Sequence, residues 1–557
     1  MFFKILPPSK NAPLETDDDA IFYLKQDNWN DFSFYTLYHL YLSGKYSKDK
    51  SIYYIGPVKI LKKGQTTSDG HLLKLGGMEY LSDDYCSVGQ TLDYYERMAS
   101  LDDDIIEKIR FSLRDINTID NYLYEFGNER GWEQSIMRDI DDDDDIFTLS
   151  NHILNREYNM LPSVDLKIIF HYEGMIDPII FDFNSNNSNS TNEYSLPSRM
   201  AIIIGRNGTG KSTLLAKISR VAFASTKDRN DGVFRKIGRI EPEGIGFPKI
   251  INISYSSFDS FQIPGIYFNE KEQIYKDLKN NTGRYIYCGM RDICEEIGGF
   301  LEGRSVGDET KLSDDDILSD RQNFTILKSI RTLASEFSTL MKGIYESKSK
   351  KDILFQVFLV LRKETSFEEI VDLFDNKFEL DDFFEIFMRQ STGHKFVLHS
   401  LVNLIFHVEK RSLILFDEPE THLHPPLLSV LMSAIRLVLD IKDAFAIIAT
   451  HSPVVVQETV SRQVNIIIRS GNMTKAISPG IQTYGENIGL ITSHIFGLSS
   501  DITDFHSKLD EVIKLYSINN NKVVHKYEIM NKIEKLFSEE ISMQARAYIM
   551  TKLSNKE

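Results

Sequence analysis

Residues Met200 to Ser212, reading MAIIIGRNGTGKS, leave the backbone few choices. Three consecutive isoleucines make a short buried strand, Gly205, Gly208 and Gly210 turn the chain, and KSTLLAKISRVAF continues as an amphipathic helix. A strand passing through a glycine-rich turn into a helix amino end forms a cradle. Its backbone N–H groups turn inward and the helix end adds positive potential, so the loop suits a phosphate. Gly205, Arg206, Asn207, Gly208, Thr209, Gly210, Lys211 and Ser212 match the GxxxxGK[ST] pattern, and Thr213 follows inside the helix. Lys211 is expected to reach the β- and γ-phosphates of ATP, and the Ser212 hydroxyl to complete a magnesium shell.

A second apolar run, Leu413 to Phe416, stops on Asp417-Glu418. Adjacent carboxylates at a strand end diverge, so Asp417 can hold Mg2+ while Glu418 polarises the attacking water. Three further buried-strand candidates, 250–257, Ala446 to Ala449 and Val464 to Ile468, complete an α/β sheet flanked by helices.

The remaining chain divides by pattern. Residues 1–165 hold an aromatic-rich start, a strand-like SIYYIGPVKILKKG and an acidic helical stretch, and are expected to supply part of the antiparallel portion of the head. Residues 166–260 form the lobe with the phosphate cradle, with strands at 166–172 and 177–183 and a polar loop at 184–195. The pattern turns helical across 261–385, where Thr365 and Glu368 read as a capping box. Residues 386–500 carry the second half of the ATPase motifs, and 501–557 form a helical tail. The run Asp141 to Asp145 reads as a solvated loop, because consecutive like charges repel.

With 557 residues and 42% hydrophobic content, the core is ample. A net charge of −17 disfavours a protein that grips nucleic acid over its whole surface. No apolar run is long enough to span a bilayer and none reads as a signal peptide, so a cytoplasmic protein without a membrane partner is expected. Cys86, Cys288 and Cys294 lack CxxC spacing, which supports neither disulfides nor zinc.

Asn207-Gly-Thr-Gly-Lys211 followed by Asp417-Glu418-Pro419 resembles the ABC-type ATPase superfamily. That resemblance implies an ABC-type head with a signature before the second strand motif, and Gln390-Ser-Thr-Gly-His394 stands there, preserving Ser391 and Gly393. It implies that ATP is sandwiched between two copies, with Ser391 and Gly393 acting in trans, and that His451 in ATHSP contacts the γ-phosphate. Gln262 is a weak match to the family's glutamine lid, and His422 and His424 replace a subunit-contact loop of different sequence in transporters. Together GRNGTGKST, SYSSFD, QSTGHK, DEPETHLHPP and ATHSP, with YIGPVKILKKGQ and SVGQTLDYYE, resemble the PtuA-type ATPase subunits of Septu antiphage defence systems. The resemblance implies an HNH endonuclease partner, PtuB, a nucleic acid target of the complex, and in retron-associated systems a reverse transcriptase with its RNA–DNA product. The alternative within the superfamily is an ATPase of the chromosome-structuring (SMC) or DNA-repair kind, acting on nucleic acid without a dedicated HNH partner.

Overall fold

The computed structural model describes residues 3–8, 19–47, 50, 52–138, 145–163, 165–184, 197–303, 310–375, 383–496, 504–517, 526–537 and 541–554. They divide into two compact units, Met1–Gly485 and Glu486–Glu557.

In the larger unit the first sheet uses β1 (Phe3–Leu6), β2 (Phe22–Gln26), β3 (Leu37–Leu42), β4 (Tyr53–Lys62), β5 (Gly76–Met78) and β6 (Tyr85–Gly89), in the order β5-β1-β2-β3-β4-β6. Only β1 and β2 pair parallel. The aromatic residues of the early sequence fill this sheet on both faces, with Tyr23, Tyr38 and Tyr41 almost fully buried. Over one face lies the helix Leu92–Ala99, every residue of which is buried. Its charged side chains are consequently paired inward: Asp93 with Arg284 at 2.8 Å, Glu96 with Lys249 at 3.0 Å, and Arg97 with Asp277 at 3.4 Å. Buried charges left single would be costly, so these pairs fix how the first sheet docks on the rest of the unit.

A small antiparallel sheet follows from β7 (Lys167–His171), β8 (Ile179–Asp182) and β10 (Arg239–Glu241). The main sheet joins β9 (Met200–Ile204), β11 (Ile250–Ser254), β12 (Tyr285–Gly289), β13 (Leu413–Asp417), β14 (Phe445–Thr450), β15 (Val464–Ser470) and β16 (Met473–Ile477) in the order β12-β11-β13-β14-β9-β15-β16. All neighbours are parallel except β15 and β16. Every residue of β9 and β14 is buried, which is why those strands read as unbroken apolar runs. The helix Lys211–Phe223 shares an apolar cluster with the sheet through Leu214, Ile218 and Val221, alongside Ile203, Leu413 and Ile447.

The structure departs from the sequence pattern at three places. The stretch from 261 to 385 is not wholly helical, since β12 lies within it and pairs with β11 as the outer strand of the main sheet. Its buried residues Tyr285, Ile286 and Cys288 come between polar helices, and five residues are too few for periodicity to separate strand from helix. The expected capping box at Thr365 and Glu368 does not form. Thr365–Phe367 is a 3-10 turn in which the Glu364 carboxylate accepts from the Ser366 N–H at 2.7 Å. Asp145 is no solvated charge. It opens the helix Asp145–Leu154, pairs with Arg411 at 2.8 Å and accepts from the Gly246 N–H at 3.0 Å. The rest of that aspartate run, and residues 185–195 of the polar loop, lie outside the described residues.

The smaller unit contains helices Ile488–Phe496, Asp504–Ser517, Lys526–Leu536 and Met543–Ser554. The last three bury Leu509, Ile513, Ile533, Ile549 and Leu553 against one another. Among the described residues no helix is long and apolar enough to cross a membrane.

Candidate functional site

The strand order places β13, β14 and β9 side by side, with Asp417 opposite Ala449 and Thr450 opposite Ile204. The loops leaving their carboxyl ends, which carry Gly205–Gly210, Glu418–His424 and His451, therefore open together at one edge, where parallel α/β sheets hold ligands.

The first loop is shaped by its glycines. Gly208 and Gly210 have φ of 78° and 92°, and a Cβ on either would meet no neighbour, so the cradle is open on that side. Gly205 is needed for the opposite reason: a Cβ there would lie 2.5 Å from the carbonyl oxygen of Ile467. Thr209 closes the turn by donating to the Arg206 carbonyl at 2.9 Å. Gly210 caps the helix without a side chain, leaving the first amides of Lys211, Ser212 and Thr213 without carbonyls behind them in the helix. Arg206, Asn207 and Gly208 are exposed at the mouth.

The Lys211 ammonium folds back over the loop. It donates to the carbonyls of Gly205 at 3.2 Å and Arg206 at 3.3 Å, and lies 2.8 Å from His451 Nε2. Burial holds its pKa below the ordinary lysine value. Glu418 Oε1 is 3.3 Å from the same His451 nitrogen. The hydrogen bond from His451, reinforced by Lys211, holds the Glu418 carboxyl below the usual range. Glu418 has φ of 50°, a left-handed backbone stabilised by its N–H donating to the Ala449 carbonyl at 2.8 Å.

The Ser212 hydroxyl donates to Asp417 Oδ1 at 3.0 Å. Burial, followed by the neighbouring charges of Glu418 and Asp259, pushes the Asp417 carboxyl up to about 7. A half-buried carboxylate beside a hydroxyl, both hard oxygen donors, fits Mg2+, which binds through one or two protein oxygens together with phosphate and water. No cluster of three or more His, Cys, Asp or Glu ligands occurs among the described residues, so a protein-caged metal is not what this site offers. Gln262 and Asp259 line a cavity of about 50 Å³ with Ser212 and Asp417, so the weakest of the sequence candidates sits beside the metal-type oxygens.

Sequence reasoning missed Glu420. Its carboxylate accepts from the Thr450 hydroxyl at 2.8 Å and from the His451 backbone N–H, tying the loop after β13 to the histidine after β14. The signal was present as a third carboxylate in DEPE, but the Asp417-Glu418 pair absorbed it.

Ser391 and Gly393 belong to a different neighbourhood. Ser391 caps the helix Thr392–His407; its exposed hydroxyl is 2.9 Å from His394 Nδ1, and His394 Nε2 is 2.9 Å from Ser366. A Cβ on Gly393 would lie 3.3 Å from the His422 carbonyl, so the turn Ser391–Gly393 packs against the histidine-bearing loop of its own chain. His422 has φ of 65°, and the His424 ring accepts from the Leu427 N–H at 3.4 Å, capping the helix Pro425–Lys442.

A nucleotide-type cradle at the carboxyl edge, a serine–aspartate oxygen pair, an adjacent glutamate and a histidine on the next strand now stand on one sheet. The fold is a mixed α/β sheet flanked by helices, with a P-loop-type cradle at its carboxyl edge. A family model described as an AAA domain, putative AbiEii toxin, type IV TA system, matches residues 296–457, a stretch that holds Ser391, Gly393, Asp417, Glu418 and His451 but not the cradle Gly205 to Ser212. Protein ea59 of Escherichia phage lambda is 28% identical over 524 residues, covering 88% of this chain and 89% of that protein. Septu protein PtuA of Bacillus mycoides (strain KBAB4) is 24% identical over 211 residues, covering 36% of this chain and 28% of PtuA. Among solved structures, an ATP-binding cassette of an ABC transporter in its ADP conformation aligns at 15% identity with a TM-score of 0.24, covering 59% of this chain and 92% of that one. An Smc head bound to the C-terminal winged-helix domain of ScpA aligns at 13% identity with the same TM-score of 0.24, covering 57% and 98%.

Proposed function

We propose that this protein is an ATPase that self-associates around ATP and uses the nucleotide cycle to control a partner HNH endonuclease of the PtuB kind in antiphage defence. Within one copy, Gly205 to Thr213 enclose the phosphates, with Lys211 at their β/γ end. Ser212 and Asp417 hold Mg2+, which when bound neutralises charge on the phosphate oxygens. Glu418 orients and deprotonates the attacking water, and His451 contacts the γ-phosphate, its backbone held by Glu420. Ser391 and Gly393 complete the pocket of the neighbouring copy with a hydroxyl and a backbone amide.

The single observation that carries this reading is the division of the motif residues into two groups. His451 contacts both Lys211 and Glu418, and Ser212 bonds Asp417, whereas the exposed Ser391 bonds His394 at its helix start. A signature serine presented this way suits a second molecule. The match to Septu protein PtuA supports the nuclease partner, and a retron reverse transcriptase with its RNA–DNA product would join the same assembly where one is encoded nearby. Differential affinity of the two nucleotide states for partner and self is the energy a switch needs.

The test is sedimentation of Glu418→Gln protein with and without Mg-ATP, in the presence of the adjacent HNH protein. ATP-dependent growth in mass that Ser391→Glu abolishes is the expected result. An unchanged mass with full ATP turnover in wild type would overturn the composite site. Turnover and assembly that proceed with no effect on the HNH protein's nuclease activity would overturn its switch role.

A further inference from the structure

A chain of buried polar groups crosses from the main sheet to the helices of the 261–385 stretch, and the phosphate site does not use it. Tyr255, the residue after β11, places its hydroxyl 2.6 Å from His399 Nδ1 and 3.2 Å from Cys288 Sγ on β12. His399 lies on the helix Thr392–His407, and its Nε2 is 3.4 Å from Glu336 Oε2 on the helix Ile330–Glu346. Lys328 binds the other Glu336 oxygen at 2.7 Å. Tyr255 is 7% exposed and His399 1%.

The polarity of this chain is fixed by its end. An ionised carboxylate can only accept, so the imidazole proton sits on Nε2 and the Nδ1 lone pair faces Tyr255. The phenol then donates to Nδ1, which leaves its oxygen to accept from the Cys288 thiol. Burial disfavours a charged imidazole, in keeping with this neutral tautomer. Asn403 Nδ2 also lies 3.3 Å from His399 Nδ1, so deleting the phenol oxygen removes the shorter of two contacts at that nitrogen.

What the chain connects gives it a role. Downstream of Tyr255 the same segment carries Asp259 and Gln262, which line the cavity containing Ser212 and Asp417. Arg291 pins that segment by donating to Asp259 at 3.2 Å and to the Phe261 carbonyl at 2.8 Å. Upstream along the His399 helix stand Gly393 and the capping Ser391. The Phe396 ring of this helix also packs edge-on against Tyr255, with centroids 4.5 Å apart. The segment beside Ser212 and Asp417 and the helix that starts at Ser391 thus meet at the Tyr255–His399 hydrogen bond and the Tyr255–Phe396 ring contact.

We infer that the Tyr255–His399–Glu336 chain is a positioning device that couples the Asp259–Gln262 loop to Ser391 and Gly393, so that occupancy of one copy's cradle sets how it presents its signature to the next. This rests on the composite site proposed above. His399 and Tyr255 are positioning residues in it and touch no nucleotide.

The experiment is a double-mutant cycle on the full chain, with its partner protein wherever turnover requires it. Tyr255→Phe, Ser391→Ala and their combination are measured for ATP turnover and for binding of a fluorescent ATP analogue. Tyr255→Phe should leave analogue affinity within about twofold and lower kcat about ten- to a hundredfold, as displaced reacting groups do. The combined variant should be no slower than Ser391→Ala alone, since both act through one group. His399→Asn, which keeps an acceptor facing Tyr255, should retain most of the turnover that His399→Leu loses. Additive losses in the Tyr255/Ser391 cycle would overturn the coupling while leaving the ATPase reading intact, and if His399→Leu fails to fold, that cycle decides alone. A wild-type protein that binds the analogue but shows no turnover under any condition would overturn both.

Discussion

His451 Nε2 stands 2.8 Å from Lys211 Nζ and 3.3 Å from Glu418 Oε1, so one imidazole nitrogen is within reach of both the cradle lysine and the glutamate after β13, and can pair with one at a time. A group poised between a cation and a carboxylate can exchange partners when a phosphate arrives. Removing the carboxylate charge should uncouple binding from turnover. Glu418→Gln is expected to bind ATP with near-normal affinity and to slow hydrolysis by about 10²–10⁴-fold, the range of a lost general base. Single-turnover kinetics beside equilibrium binding checks this, and a variant that hydrolyses ATP at the wild-type rate would remove Glu418 from the proton path.

Glu420 contributes without standing at the phosphate. Its two acceptor bonds, to the Thr450 hydroxyl and the His451 N–H, keep the histidine loop against the loop after β13. Glu420→Ala should lower kcat about ten- to a hundredfold while ATP affinity changes far less, and Glu420→Gln, which keeps one acceptor, should fall between. Equal losses in affinity and kcat would instead place Glu420 in nucleotide binding.

Gly205 offers a prediction about folding of the cradle. A methyl group there would sit 2.5 Å from the Ile467 carbonyl on β15, a contact that neither backbone can relieve without shifting β9. Gly205→Ala is expected to destabilise the larger unit by about 1–3 kcal/mol and to weaken ATP binding, measured by denaturant melts and nucleotide titration. Gly208→Ala has open space for its methyl but keeps a φ of 78°, so its smaller cost should arise from backbone strain alone.

Glu270 links stability to pH. Its carboxylate accepts from the N–H groups of Ile266 at 2.8 Å and Tyr267 at 3.2 Å, yet burial and the nearby Asp228 push its pKa up from 4.5 to about 7. The folded chain therefore holds a proton that the unfolded chain has released, and this group's contribution declines as pH rises from about 4.5 to about 7. Thermal melts across that window should show Glu270→Gln gaining on wild type as pH increases. A constant difference would mean that Glu270 does not titrate there.

The head was legible where chemistry dictates residue order. The short apolar run Met200–Ile204 read as a strand because a glycine turn and a helix follow it, and the spacing of Gly205, Gly208 and Gly210 specified the cradle they form. Glu420 escaped because its work is to hold a backbone amide, which leaves no motif, and β12 because five residues carry too little periodicity. The ion pairs that dock the first sheet could not be read either. Asp93 and Arg284 are far apart in the chain, and only the folded packing of the helix Leu92–Ala99 shows that its polar residues point inward.

The place of β12 bears on any attempt to shorten the protein. Its pairing with β11 caps one flank of the catalytic sheet, so excising the 261–385 stretch as a removable accessory would bare the N–H and C=O row of β11. A truncated head of that design would present a sticky ribbon to its own kind and clump before it could be assayed.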